Sequence, residues 1–260
     1  MAIVVIIPAR YGASRLPGKP LSDILGKPMI QHVHERVRRA QGVDRVIVAT
    51  EDERIMDAVR AFGGEAVLTS PAHRSGSDRL AEAARSRCAP DDIVVGVQGD
   101  EPMIAPGAVE AAAAAFAEGP DVQASTVCTP LRSVEDMLSP HVVKVVTDAA
   151  GQALYFSRSP IPHVRGGDQA AAAAESVRRG LARRHLGLYG WRLPALLRFA
   201  VLPPSPLEEA EGLEQLRALQ HGMRMRVMEF DGEAGVAVDT PEDLERVRGL
   251  MQQARGSETG

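Results

Sequence analysis

Three short stretches hold the residues that could do chemistry. The first is Pro8-Ala9-Arg10-Tyr11-Gly12-Ala13-Ser14-Arg15-Leu16-Pro17-Gly18-Lys19-Pro20, directly after an apolar run. It gathers Arg10, Arg15 and Lys19 among small residues that let backbone N–H groups approach an anion. Three cations on a Gly/Pro-shaped loop suit a triphosphate, whose charge must be neutralised as it is bound and cleaved. The spacing fits neither the P-loop GxxxxGK nor the dinucleotide GxGxxG, so ATPase and NAD readings lose their main support. A solvated basic loop is the plainer alternative. The second stretch, Val94-Val95-Gly96-Val97-Gln98-Gly99-Asp100-Glu101-Pro102, ends an apolar strand in an amide, a glycine and two acids. Asp100 is the candidate ligand for Mg²⁺, which typically takes one or two protein carboxylates beside phosphate oxygens and water; an Asp capping the next turn has the same local pattern. The third, Gly235-Val236-Ala237-Val238-Asp239-Thr240-Pro241-Glu242-Asp243, puts Asp239 at a strand-to-helix junction. There it either completes a two-carboxylate cation site with Asp100 or supplements the helix cap.

The elements that must position these groups alternate in type. Ile3–Ile7, Val46–Ala49, Ala66–Leu68 and Ile93–Val97 read as buried strands. Between and after them lie helical patterns at Met29–Val37, Glu51–Ala61, Asp78–Arg87 and Pro106–Ala117. That alternation predicts an α/β fold with a mixed, mostly parallel sheet and helices on both faces. In such a sheet ligands bind at the carboxyl ends of the strands, where the basic loop and Asp100 both fall. From about residue 121 the rhythm changes to the strands Val122–Val127, Val142–Thr147, Ala153–Phe156 and Leu186–Trp191, with a hairpin turn at Asp148–Gly151. The segment 164–183 reads as a loop, although its alanines could form one short helix. Helices return at Pro206–His221 and Pro241–Gln253, the latter with Thr240 as N-cap, Pro241 at the first position and Asp243 at the third. Nothing orders residues 254–260.

Composition excludes several classes. The chain has 260 residues, 45% hydrophobic and 25% charged, with no run long enough for a membrane span. Ala2–Ile7 lacks the length and flanks of a signal peptide, so the expected address is the cytoplasm. Cys88 and Cys128 are far apart and form no CxxC pair, which suggests neither a disulfide framework nor zinc. A net charge of −4 argues against nucleic acid or an anionic membrane as partner. That total hides an asymmetry: residues 1–45 carry eight basic against three acidic side chains, and residues 201–260 six against twelve. Only Lys19, Lys27 and Lys144 are lysines; the other 27 basic residues are Arg. A compact ammonium retained in so Arg-rich a chain marks positions where Arg is not equivalent.

Taken in order, the loop at 8–21, the QGDEP run at 98–102 and the run at 235–248 resemble the 3-deoxy-manno-octulosonate cytidylyltransferase family. Further matches are His73-Arg74-Ser75-Gly76-Ser77-Asp78-Arg79-Leu80, Lys144-Val145-Val146, residues 155–162, 184–189, 204–208 and 213–217, so that the resemblance covers about 3–250. It implies a nucleotide-diphospho-sugar-transferase-like (Rossmann-like) fold, with one domain over 1–250, a sugar-side and dimerisation excursion at about 130–192, and a polar tail over 251–260. The implied enzyme is a Mg²⁺-dependent homodimer that joins CTP and 3-deoxy-manno-octulosonate (KDO) into CMP-KDO and pyrophosphate for lipopolysaccharide assembly.

By the same resemblance, Ala9, Arg10, Arg15, Lys19, Arg74, Ser75, Gly76 and Gln98 would bind CTP. Lys19, Arg10, Arg15 and Asp100 would act in catalysis, and Asp100 and Asp239 would hold Mg²⁺. Arg158, His185, Tyr189, Glu214 and Gln215 would meet KDO. On a strand, His185 and Tyr189 share a face, which suits a pocket and equally a packed core pair. On a continuous helix, Glu208, Glu211 and Glu214 would form an ordinary solvated face. The chain departs from the family pattern at 167–183 and at Gly190-Trp191-Arg192. The nearest rival is a sialic-acid cytidylyltransferase, and a different class is a catalytically silent nucleotide-binding protein.

Overall fold

Along the first strand almost every side chain is apolar and buried, so both of its faces need cover. The computed structural model describes residues 1–12, 15–73 and 75–258. β1 (Ile3–Ala9) buries Val4 to Ile7 completely. A small hairpin, β2 (Asp23–Ile24) and β3 (Lys27–Pro28), leads into α1 (Met29–Val37), which buries a stripe of Met29, Ile30, Val33 and Val37. Next come β4 (Arg45–Thr50), α2 (Glu53–Ala61), β5 (Glu65–Leu68), α3 (Gly76–Arg87), β6 (Ile93–Gly96) and α4 (Pro106–Ala114). The strands pair in the order β6-β1-β4-β5, all parallel, with Val5 beside both Val46 and Val95. The parallel βαβ reading of this part of the sequence holds.

Two compact units make up the chain, residues 1–110 with 234–260 and residues 111–233, where the sequence suggested one domain with an excursion. The second unit contains β7 (Ala124–Pro130), α5 (Val134–Leu138), β8 (Lys144–Thr147), β9 (Ala153–Ser157), α6 (Gln169–Arg178), β10 (Arg183–Arg192), α7 (Leu193–Ala200), α8 (Pro206–Glu211), α9 (Gln215–Gln220) and β11 (Arg226–Glu229). β10 runs antiparallel to β7 and β8, β8 antiparallel to β9, and β11 parallel to β7. The expected turn at Asp148–Gly151 joins β8 to β9: the Asp148 carboxylate accepts the Ala150 and Gln152 N–H groups, and Gly151 has φ 74°.

Three expectations are corrected. Residues 164–183 are not a loop throughout, because α6 forms within them. Asp168 caps it through the Ala171 N–H, and Ala173 and Val177 pack on a cluster of Leu131, Met137, Val142 and Ala182. The helix expected over 206–221 is two helices, since Gly212 adopts φ 62° and ends α8 with a left-handed cap. The last helix, α10 (Pro241–Glu258), continues beyond Gln253 through residues expected to be a polar tail.

α10 belongs to the first unit. Its Leu244, Val247 and Met251 recur at helical spacing and close on Ile24, Met29 and Val238. This cluster anchors the irregular segment that holds Asp239 before α10, where the sequence suggested a strand and none forms. Leu244→Ala is expected to cost roughly 2–5 kcal/mol, as for other buried leucines, read by urea unfolding; a loss below about 1 kcal/mol would mean the junction is held by something else.

Candidate active site

The first unit contains a cavity of about 360 Å³. Its wall includes Ala9 at the end of β1, Arg10, Arg15 and Lys19 from the loop after it, Gly76 and Arg79 from α3, Gln98 and Asp100 from the segment after β6, and Asp239 before α10. The carboxyl ends of β1 and β6 both open on this cavity, as the open-sheet rule leads one to expect. The basic loop folds back on itself. Gly18 N–H donates to Tyr11 O at 2.9 Å, and Gly18 sits at φ 70° with the Tyr11 ring where a Cβ would reach 3.2 Å from its hydroxyl. A side chain at 18 would therefore be strained twice over.

Lys19 is the centre of this geometry. Its ammonium donates to Asp100 Oδ2 at 2.6 Å, to the Val238 carbonyl at 2.9 Å and to Asp239 Oδ1 at 3.3 Å. Arg15 also reaches Asp239, at 3.3 Å. The Asp100 backbone carbonyl accepts the Val238 N–H at 2.8 Å, so the two carboxylates are held by main-chain as well as side-chain bonds. The two carboxylates sought in the sequence thus converge on one cation. Hard oxygen donors aimed at a single point are the donor set that Mg²⁺ takes, and these two residues fit it.

Other predicted nucleotide residues fall as follows. Ser75 is the N-cap of α3 in a capping box with Asp78, so its hydroxyl oxygen already accepts an N–H. Gly76 lies against Gln98, and a Cβ there would stand 3.5 Å from Gln98 Oε1 and 3.6 Å from Pro8 Cγ. Arg10 donates to the His73 carbonyl at 2.6 Å and is otherwise exposed. Arg74 lies outside the described residues. At the third junction, Thr240 caps α10 and Asp243 closes the box, as the sequence suggested. Burial alone would raise the Asp243 carboxyl, but the Asp239 and Thr240 N–H groups hold it below its usual range.

The predicted sugar-side residues all lie in the second unit. Arg158 Nε donates to Glu211 O at 2.7 Å and NH1 to Pro140 O at 3.0 Å, while its backbone N–H donates to Glu211 Oε2 at 2.9 Å. Lys144, completely buried, spends its three donors on the Ser139, Val142 and Arg158 carbonyls at 2.9, 2.6 and 2.5 Å. Burial pulls its pKa down, and those carbonyls let the ammonium persist. Gln215 is buried at the start of α9, and its Nε2 has no hydrogen-bond partner among the described residues. An orphaned buried donor costs free energy that a ligand's hydroxyl would recover.

Glu208, Glu211 and Glu214 are not one solvated face, because the break at Gly212 separates their roles. Glu208 caps α8 and pairs with Arg217 at 2.8 Å, Glu211 clamps Ser157 and Arg158, and Glu214 stands 3.9 Å from Arg217. His185 and Tyr189 do come together, with ring centroids 5.6 Å apart, but not by simple strand alternation. A bulge between Leu186 and Tyr189 shifts the pairing, so that Leu186 opposes Val127 and Tyr189 opposes Thr126. His185 is buried, and its Nε2 lies 2.8 Å from Thr126 Oγ1.

Sequence reasoning missed Glu51, Arg79 and Glu211. Arg79 lies inside a quoted motif, but burial gives it significance and its local pattern does not. No group of three or more His, Cys, Asp or Glu suited to a metal occurs among the described residues. Burial pushes the Cys88 and Cys128 thiols up, to about 11 and about 12, so neither is a thiolate nucleophile near neutral pH.

Comparison with known proteins gives a consistent result. The sequence profile of the family described as "Cytidylyltransferase" matches residues 4–225. A 3-deoxy-manno-octulosonate cytidylyltransferase of Geobacter sulfurreducens is 52% identical over 252 residues, covering 95% of this chain and 98% of that protein. One of Anaeromyxobacter dehalogenans is 53% identical over 249 residues, covering 96% and 97%. A solved CMP:2-keto-3-deoxy-manno-octonic acid synthetase complexed with CTP superposes with a TM-score of 0.88 at 45% identity, covering 98% of this chain and all of that one.

Burial lowers the His185 pKa to about 3. The ring is therefore neutral in the folded protein at physiological pH and can hydrogen-bond a hydroxyl but not pair with a carboxylate. Because the unfolded chain binds that proton near pH 6.5 and the folded one does not, this histidine withdraws stability as pH falls from about 6.5 towards 3. The expected NMR result is an imidazole signal of His185 that does not titrate between pH 8 and 5; a midpoint near 6.5 would show an exposed ring.

Proposed function

The chain belongs to the 3-deoxy-manno-octulosonate cytidylyltransferase family, and from that premise we propose how its own residues perform the transfer of CMP from CTP to KDO. The reaction gives CMP-KDO and pyrophosphate. The sugar 2-hydroxyl attacks the α-phosphorus in line; the new O–P bond forms, the bond to the bridging β-phosphate oxygen breaks, and the hydroxyl proton is lost. Nucleotidyl transfer of this kind depends on positioning and charge neutralisation, so no covalent protein nucleophile is needed.

In the first unit Arg10, Arg15 and Lys19 bind the triphosphate and offset charge on the departing pyrophosphate. Gly76 leaves room for the base beside Gln98, whose amide offers both a donor and an acceptor. Asp100 and Asp239 would hold Mg²⁺, which when bound would supply Lewis-acid neutralisation of phosphate oxygens and favour deprotonation of the attacking hydroxyl. In the second unit Arg158 pairs with the sugar carboxylate. Three of its five N–H donors are fixed on backbone carbonyls, which sets the direction of the remaining two. Glu214 and Gln215 meet sugar hydroxyls, and neutral His185 with Tyr189 completes that side.

The observation that carries this reading is the convergence of Asp100, Asp239 and Lys19 inside a cavity rimmed by arginines. We further place the protein in the cytoplasm as a homodimer serving lipopolysaccharide assembly, in keeping with the family. No helix among the described residues is long and apolar enough to cross a membrane.

The direct test is pyrophosphate release with CTP, Mg²⁺ and either KDO or N-acetylneuraminate. Release with KDO and none with N-acetylneuraminate is expected; the reverse would reassign the sugar.

A further inference from the structure

Beside the cavity lies an ion pair that the mechanism above does not use. Glu51 follows β4, and its two carboxylate oxygens have different partners. Oε1 accepts the Tyr11 N–H at 3.0 Å, and Oε2 makes an ion pair with Arg79 NH2 at 2.8 Å without hydrogen-bond geometry. Arg79 is only 1% exposed yet lines the cavity. Its NH1 donates to Thr69 Oγ1, and its Nε–H has no hydrogen-bond partner among the described residues. Thr69 is tied in turn to β4 through its N–H, 2.9 Å from Thr50 O.

A buried arginine with an orphaned donor is a poor stability device, because removing its charge from water costs more than one ion pair returns. Its position suggests a different use. Tyr11 stands immediately after Arg10, and its carbonyl accepts the Gly18 N–H next to Lys19. Holding Tyr11 therefore holds both ends of the loop that carries Arg10, Arg15 and Lys19. The Tyr11 ring is covered by the Arg54 guanidinium at 3.4 Å, itself fixed by Asp52.

We propose that Glu51 and Arg79 are a positioning pair for the nucleotide loop: Arg79 orients the Glu51 carboxylate, and Glu51 fixes the Tyr11 backbone and with it the spacing of the three phosphate-binding cations. This rests on reading the cavity as the CTP site. Neither residue needs to touch substrate. A carboxylate can accept the Tyr11 N–H on one oxygen while its charge pairs with Arg79 at the other, whereas an amide carries no charge. Glu51→Gln can therefore keep the Tyr11 hydrogen bond but not the ion pair with Arg79, with almost no change of shape.

The test is steady-state kinetics and calorimetric CTP binding on the full chain carrying Glu51→Gln, Arg79→Met, Arg79→Lys or the Glu51→Gln/Arg79→Met double change. Each Gln or Met single change should raise KM and Kd for CTP on the order of tenfold, through loss of the ion pair that orients Glu51. KM for KDO should not move. The double change should be no worse than the worse single one, because the two act as a unit, and Arg79→Lys should recover part of the loss. Multiplicative losses in the double change, or a lowered Tm with unchanged CTP binding, would overturn the pair as a positioning device. If the wild type did not turn over CTP with KDO, the functional reading would fall, and CTP binding in the same variants would still decide the role of the pair.

Discussion

One ammonium group joins three parts of the chain that are far apart in sequence. Lys19 bonds Asp100, Asp239 and the Val238 carbonyl, and so ties the loop after β1 to the end of β6 and to the start of α10. Two carboxylates this close would repel without a shared cation. The fold supplies that cation from its own loop and surrounds it with arginines, so that the carboxylates are brought together before any ligand arrives. Pre-arranged charge of this sort costs no reorganisation at the moment of reaction, which is where electrostatic catalysis gains most. The apolar cluster beneath α10 has the same purpose at longer range, since without it Asp239 has no fixed address.

The second unit applies the same rule with different groups. There the shared cation is Lys144, buried among three carbonyls, one of which belongs to Arg158. Glu211 takes the Arg158 backbone N–H with its carboxylate and the Arg158 Nε–H with its own carbonyl. The guanidinium is thereby directed rather than left to sample rotamers, and a planar fork held in this way is suited to a carboxylate. The two lysines retained in key positions of an Arg-rich chain thus share a physical reason. A compact ammonium can donate in three directions to a tight ring of oxygens, and a planar guanidinium cannot.

What could be read in the sequence was whatever is encoded locally. β-branched runs such as Ile3–Ile7 announce buried strands, and the Thr240-Pro241-Asp243 signature announces a helix start, because the deciding interactions lie within a few residues. The meeting of Lys19, Asp100 and Asp239 was legible for another reason: a cation and two carboxylates at loop positions invite pairing, and the order of motifs matches a family. Illegible were features decided by distant packing. α6 exists because Ala173 and Val177 find Met137 and Val142, and the bulge that brings His185 to Tyr189 is a property of the β10–β7 pairing. Glu211 looked like a surface residue until the break at Gly212 turned it towards Arg158. Arg79 likewise carries no mark in its neighbourhood that it will be buried against Glu51.

If Asp100 and Asp239 together form the cation site of the nucleotide complex, each must contribute to its affinity for the metal. The most direct measurement is a titration of Mn²⁺, standing in for Mg²⁺, followed by electron paramagnetic resonance on the protein with CTP, with and without Asp100→Asn or Asp239→Asn. Each substitution should weaken Mn²⁺ binding in the ternary complex by at least about tenfold, as loss of a charged ligand must exceed the effect of losing an outer-shell partner. Unchanged Mn²⁺ affinity in both variants would contradict it and leave the two carboxylates as partners of Lys19 alone.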